Sequence, residues 1–70
     1  MNEILLDLGS MVNEVNESGS ELLLVNGKEV NANDFYKYVR DNEYNITLAY
    51  EEDDIIYIVI YDNEYEIEIA

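Results

Sequence analysis

The sequence predicts an α+β fold, an antiparallel β-sheet with two helices packed on one face, in the order α-β-β-α-β-β-β. Three observations predict it. Apolar residues recur at helical spacing between Ile4 and Val15, an Asn26-Gly27 pair separates two short runs, and the apolar period changes to two from Tyr44 onward. Helix side chains return to one side about every 3.6 residues, whereas strand side chains alternate, so the change of period marks a change of element.

Turned at about 100° per residue, Ile4, Leu5, Leu8, Met11, Val12 and Val15 span an arc of about 120°, the stripe of a core-facing helix. Glu3, Asp7, Glu14 and Glu17 gather on the opposite side. Asn2 is placed to cap the start. Gly9-Ser10 in mid-helix costs roughly 1 kcal/mol relative to alanine and allows a kink or an early end. The tract Asn16-Glu17-Ser18-Gly19-Ser20 closes the element.

Glu21 to Val25 is a leucine-rich run, followed at once by Asn26-Gly27. Asn-Gly suits a type I′ turn, whose two central residues need positive φ, and the resulting register sets Val25 opposite Lys28 and Leu23 opposite Val30. Asn31 or Asn33 then offers an N-cap, with Asp34 in a first turn that favours negative charge. Ala32, Phe35, Tyr36 and Val39 form the stripe of a short helix ending near Asn42. Lys37 and Arg40 flank it, and with Lys28 they are the chain's only cations, expected to pair with nearby carboxylates.

Beyond Tyr44, Ile46, Leu48 and Tyr50 alternate with Asn45, Thr47 and Ala49. Glu51-Glu52-Asp53-Asp54 makes a turn into the apolar strand Ile55 to Tyr61, and Asp62-Asn63 turns into Glu64 to Ile69. With two residues in that last loop, Ile60 faces Tyr65, Ile58 faces Ile67 and Ile56 faces Ile69. Tyr61, Val59 and Tyr57 then stand beside Glu64, Glu66 and Glu68 on the other side. An odd-length loop or a bulge around Glu51 to Asp54 keeps Ile46, Leu48 and Tyr50 on the buried side. Tyr36, Tyr50 and Tyr65 are expected half-buried; Tyr38, Tyr44, Tyr57 and Tyr61 are the contact residues.

Residues 1–70 are expected to form a single small acidic domain. They carry 17 Asp and Glu against three basic residues, a formal charge of −14. Such an imbalance usually gives disorder, but 49% of the residues are hydrophobic and fall in periodic runs, which predicts a folded polyanion. With no cysteine or histidine, the commonest zinc and iron ligand sets and most nucleophile–base pairs are missing. No catalytic residue, metal site or cofactor is therefore expected, and the chain is not expected to be an enzyme. The N-terminus lacks the basic and apolar regions of a secretory signal, and no apolar run is long enough to span a bilayer, so a cytoplasmic protein of a bacterial host is expected. A compact polyanion repels nucleic acid and acidic membranes and is drawn to basic protein clefts.

The leading candidate site is the row Glu64, Glu66 and Glu68 beside Tyr57 and Tyr61. Alternate strand residues lie about 6.8 Å apart, comparable with the step between neighbouring phosphates on one nucleic-acid strand. Tyrosines add flat contact area of the kind that anchors interfaces. The same row has an ordinary explanation, because alternate charges on an edge strand stop sheets from joining. The second candidate is Glu51, Glu52, Asp53 and Asp54, which with Asp62 extends the anionic stripe. A calcium loop starting at Asp53 fails, since Ile55, Tyr57 and Ile58 occupy the third, fifth and sixth positions. The acidic side of the first helix is the third, and a polar back is normal for a soluble helix. What that does not explain is the near absence of lysine, for which nine asparagines substitute where ordinary surfaces mix both signs.

In size, charge and anionic surface the chain resembles the small acidic inhibitors encoded by phages and mobile elements, such as anti-CRISPR and anti-restriction proteins and inhibitors of uracil-DNA glycosylase. The resemblance implies a nucleic-acid mimic, monomeric or homodimeric, that occupies the basic nucleic-acid-binding cleft of an enzyme or nuclease complex. Two alternatives stand beside it: an antitoxin or immunity protein against a basic nuclease, and a structural or adaptor module without an enzyme target.

Overall fold

The computed structural model describes residues 3–70, and its elements follow the predicted order. Helix α1 spans Glu3–Ser18, strands β1 (Leu23–Val25) and β2 (Lys28–Val30) form a hairpin, and helix α2 spans Ala32–Asp41. One turn of 3₁₀ helix, Glu43–Asn45, leads into strands β3 (Ile46–Glu52), β4 (Ile55–Ile60) and β5 (Asn63–Ile69). All strand pairs are antiparallel, and the spatial order is β2-β1-β5-β4-β3. The last strand is thus the middle one, and β2 and β3 are the edges.

The apolar stripe of α1 packs as its spacing predicts: Leu5, Leu8 and Val12 are buried, with Ile4, Met11 and Val15 at the core margin. The helix does not break at Gly9-Ser10. A Cβ at Gly9 would stand 3.3 Å from the Tyr36 hydroxyl, so the bare glycine lets α2 lie close against α1. Gly19, at φ +70, follows the helix in the conformation that suits its C-terminal end. The expected cap Asn2 lies outside the described residues. Asn31 caps α2, accepting from the Asp34 N–H at 3.0 Å. Asn33 instead accepts from the Asn16 side chain at 2.9 Å and ties the two helices together. Among the described residues the one ion pair joins Arg40 to Asp41 at 3.9 Å, so the expected pairing of Lys28 and Lys37 does not occur.

The β1–β2 hairpin has the predicted register, with Asn26 at φ +55 and Gly27 at φ +79. Asn26 also fastens the hairpin to β5. Its N–H donates to the Glu66 carbonyl at 2.9 Å, its Nδ2 donates to the Glu64 carbonyl at 3.1 Å, and its Oδ1 accepts from the Glu66 N–H at 2.9 Å. The side chain thereby continues the β1–β5 ladder beyond the last residue of β1. Asn26→Asp keeps the tolerance for left-handed backbone but loses the Nδ2 donor and turns a carboxylate toward the Glu64 carbonyl. It is expected to destabilise the fold by about 1 kcal/mol in a urea titration. An unchanged midpoint would show that water replaces the lost bond.

Two expected registers are corrected by the structure. The β3–β4 turn consists of Asp53 and Asp54 alone, at φ +53 and +65, with Glu52 opposite Ile55. Both residues adopt the left-handed conformation that short, locally hydrogen-bonding side chains tolerate, so a tight turn forms without glycine. That even-length loop turns Leu48 and Tyr50 away from the helices, opposite Val59 and Tyr57, where they are 54% and 43% exposed. A bulge between Ile46 and Leu48 returns only Ile46 to the core side, opposite Ile60.

The β4–β5 turn consists of Tyr61 and Asp62, so Ile60 faces Asn63, Ile58 faces Tyr65 and Ile56 faces Ile67. This slides β5 by two residues from the expected pairing. Because side chains alternate, a two-residue slide leaves each one on its expected side. Tyr61 sits at φ +54 although its ring is 59% exposed. A bulky side chain there is strained by about 1–2 kcal/mol relative to glycine. Tyr61→Gly is therefore expected to raise stability by about 1 kcal/mol, read from the denaturation midpoint. A loss of stability would mean that ring contacts outweigh the backbone strain.

The core lies between the sheet and both helices. Ile56, Ile58, Ile60, Ile67, Leu23 and Val25 meet Leu5, Leu8, Val12, Ala32 and Val39, all buried. Phe35 and Tyr38 of α2 close one side over Tyr65, with the Phe35 and Tyr65 rings edge-on at 5.8 Å and the two tyrosine hydroxyls 3.4 Å apart. The hydrogen bond between the Tyr38 and Tyr65 hydroxyls, with partial burial, raises the Tyr65 pKa above its ordinary value. A raised phenol pKa means that the neutral form is favoured by folding. Its contribution is complete below the unfolded value near 10.0 and is lost as pH climbs through the folded one. Tyr38→Phe is expected to move the Tyr65 tyrosinate titration back toward the ordinary value, as followed by ultraviolet absorbance.

Candidate functional site

Both helices occupy one side of the sheet and leave the other open. On the open side β5 presents Glu64, Glu66 and Glu68 in a row. Glu66 stands opposite Tyr57 and Glu64 opposite Val59 on β4, while Glu68 stands opposite Leu24 on β1. The row lies in the central strand, hydrogen-bonded on both sides. Protection of a free edge therefore does not account for it, since neighbouring strands already cover the backbone of β5.

Beside the row stands an apolar strip that sequence reasoning missed in part. Leu48 and Tyr50 of β3 join Tyr57 and Val59 of β4 on this side, and the Tyr50 and Tyr57 rings stack at 4.8 Å with an interplanar angle of 13°. The signal that could have found them is the Asp53-Asp54 pair, which is able to make a two-residue turn within a longer acidic run. Ring burial first, and then the charges of Glu66, Tyr50, Glu52 and Asp53, push the Tyr57 phenol up.

The ten residues expected to contact a partner divide into three places. Glu52, Tyr57, Glu64, Glu66 and Glu68 share the open side of the sheet, Glu52 being opposite Ile55 at its corner. Glu51 points to the helix side, opposite Ile56. With Asp53, Asp54, Glu14 and Glu68 it lines a groove of about 410 Å³ between α1 and the end of the sheet. Tyr61 and Asp62 lie at the far end of β4, about 23 Å along the strand from Asp54. They are not part of either cluster.

Glu68 and Glu14 make the anionic surface continuous. Glu68 belongs both to the open-side row and to the end groove, and Glu14 belongs both to that groove and to a second one with Glu17 and Glu21. The carboxylates thus run from the middle of the sheet, around its end and onto α1. The cations lie elsewhere, Lys28 on β2 and Lys37 and Arg40 on α2. The acidic side of α1, judged alone, is an ordinary polar back; joined to β5 through Glu14 it becomes part of a stripe. Among the described residues no group of acidic side chains has the arrangement of a metal site, and no helix is long and apolar enough to cross a membrane. Comparison with protein-family models, curated proteins and solved structures yields no match.

Proposed function

We propose that this protein is an inhibitor that binds the basic nucleic-acid-binding cleft of a target enzyme, in the bacterial cytoplasm, as a stand-in for the nucleic acid. One observation carries the proposal: a row of three carboxylates in the central strand of an open sheet face, continuous with the acidic end groove and flanked by the stacked rings of Tyr57 and Tyr50. Like charges set about 6.8 Å apart repel and weaken a small fold, and packing does not require them there. A cationic groove would relieve that repulsion on binding. The carboxylates would supply long-range attraction and fast association, and the rings short-range affinity.

Size is compatible with this role. The molecule measures 32 × 22 × 20 Å, so its broad side is of the order of the ~800 Å² that one partner contributes to a standard interface.

The test is capture of bacterial proteins on the immobilised chain at low ionic strength, after nuclease treatment of the lysate. Retained proteins are expected to be displaced by added DNA or RNA, and to be lost as salt rises, because screening acts on this complex as it does on nucleic-acid binding. Retained proteins that resist both nucleic acid and salt would overturn the proposal.

A further inference from the structure

We infer that the open face carries a slot for a single arginine side chain of the partner, stacked on Tyr57 and paired with Glu66; this rests on the proposed binding to a basic cleft. The stack explains why the slot lies there. The 4.8 Å between the Tyr50 and Tyr57 rings matches the spacing of neighbouring strands, about 4.8 Å, and the rings are nearly parallel. They therefore stand upright from the sheet, one on β3 and one on β4, and stack along the direction from strand to strand. Continuing that direction, the other face of Tyr57 looks over β5. There the residue in register is Glu66, an exposed carboxylate in place of a third ring.

A groove of about 170 Å³ runs beside the stack and borders this position, with Leu48, Tyr50, Tyr57, Val59, Glu64 and Glu66 among the residues that line it. A flat cation entering it would lie against the ring of Tyr57 as the next layer of the stack, with Glu66 beneath it and Glu64 about 6.8 Å further along the strand. Guanidinium meets these demands together, being planar, permanently charged, able to stack on aromatic faces and able to bond a carboxylate through two N–H groups. A lysine ammonium offers a point charge and keeps its water more tightly. The slot should therefore distinguish arginine from lysine, which carboxylates alone would do weakly. Burial first and then the Glu66 carboxylate raise the Tyr57 pKa, in keeping with the placement of Glu66 beside the ring.

The experiment uses the full chain and two peptides of equal charge, octa-arginine and octa-lysine, with affinities measured by titration calorimetry at low salt. Octa-arginine is expected to bind about three- to tenfold tighter, the range of one exposed to partly desolvated cation–π contact. Tyr57→Leu is expected to abolish the difference while octa-lysine affinity stays within twofold, and Tyr44→Leu, which changes a ring that is 98% exposed on the 3₁₀ turn, is expected to preserve it. Glu66→Gln provides a variant on the surface of the folded sheet and is expected to weaken octa-arginine more than octa-lysine. Equal affinity of both peptides for the unaltered chain would overturn the arginine slot and leave the basic-cleft proposal standing. A preference that survives both Tyr57→Leu and Glu66→Gln would overturn it as well. Failure of both peptides to bind at low salt would overturn both proposals.

Discussion

Ile56→Ala is expected to destabilise the domain by about 2–5 kcal/mol, the range for removing a fully buried large aliphatic side chain. Ile56 has no exposure, pairs with Ile67 on the central strand and belongs to the cluster that joins sheet to helices. For 70 residues, at roughly 0.05–0.15 kcal/mol each, that loss is a large share of the total stability and leaves much of the population unfolded at moderate temperature. The comparison that gives the experiment its force is Leu48→Ala. A strand with Ile46, Leu48 and Tyr50 on one buried side would make Leu48 costly to truncate. On the open side of β3, with 54% of its surface exposed, its loss is expected to cost about 0.5 kcal/mol or less. Comparable shifts in the urea midpoints of the two variants would mean that β3 keeps Leu48 inside and that the apolar strip beside the carboxylates does not exist.

Glu64, Glu66 and Glu68 changed together to glutamine are expected to leave the fold intact and about 1 kcal/mol more stable. Each adjacent pair, about 6.8 Å apart, repels by about 0.6 kcal/mol in water at low salt. The gain should shrink as salt is added, because the screening length falls from about 30 Å at 0.01 M, as long as the molecule itself, to about 10 Å at 0.1 M. The same variant is expected to lose most of its retention of basic proteins in the capture experiment, chiefly through slower association. A variant that is stabilised but captures as before would move the contact surface to the end groove around Glu14, Asp53 and Asp54. A destabilised variant would show that these carboxylates are held by favourable contacts within the fold.

Much of the architecture was legible in the sequence because its signals are local. The α1 stripe, the Asn26-Gly27 turn, the Asn31 cap and the alternation of β4 and β5 each depend on neighbours within one or two turns of chain. Other features, the β4–β5 register among them, were not legible, for different reasons. The orientation of Leu48 and Tyr50 depends on loop parity, and four consecutive carboxylates conceal which two form the turn. The bulge that restores Ile46 leaves no mark of its own in a run such as Ile46-Thr47-Leu48. The place of β5 depends on which strands meet across the whole chain, something alternation within a strand does not encode. The place of β5 bears most on the site. The glutamate row was recognisable from its spacing, whereas its central position, and the stacked rings beside it, required the assembled sheet.

Placing the final strand between β1 and β4 also governs how the domain comes together. Leu23 meets Ile69, so the first hairpin joins the rest of the sheet only when the chain has doubled back over 46 residues. Contacts so distant must be closed against loop entropy before they return any stabilisation, which makes assembly slower than in a helical bundle of this length. It also means that neither half is a free-standing unit. Withdrawing β5 parts the two hairpins and uncovers Leu23, Val25 and Ile56 at a stroke, so the sheet should open as a whole rather than fray from its edges.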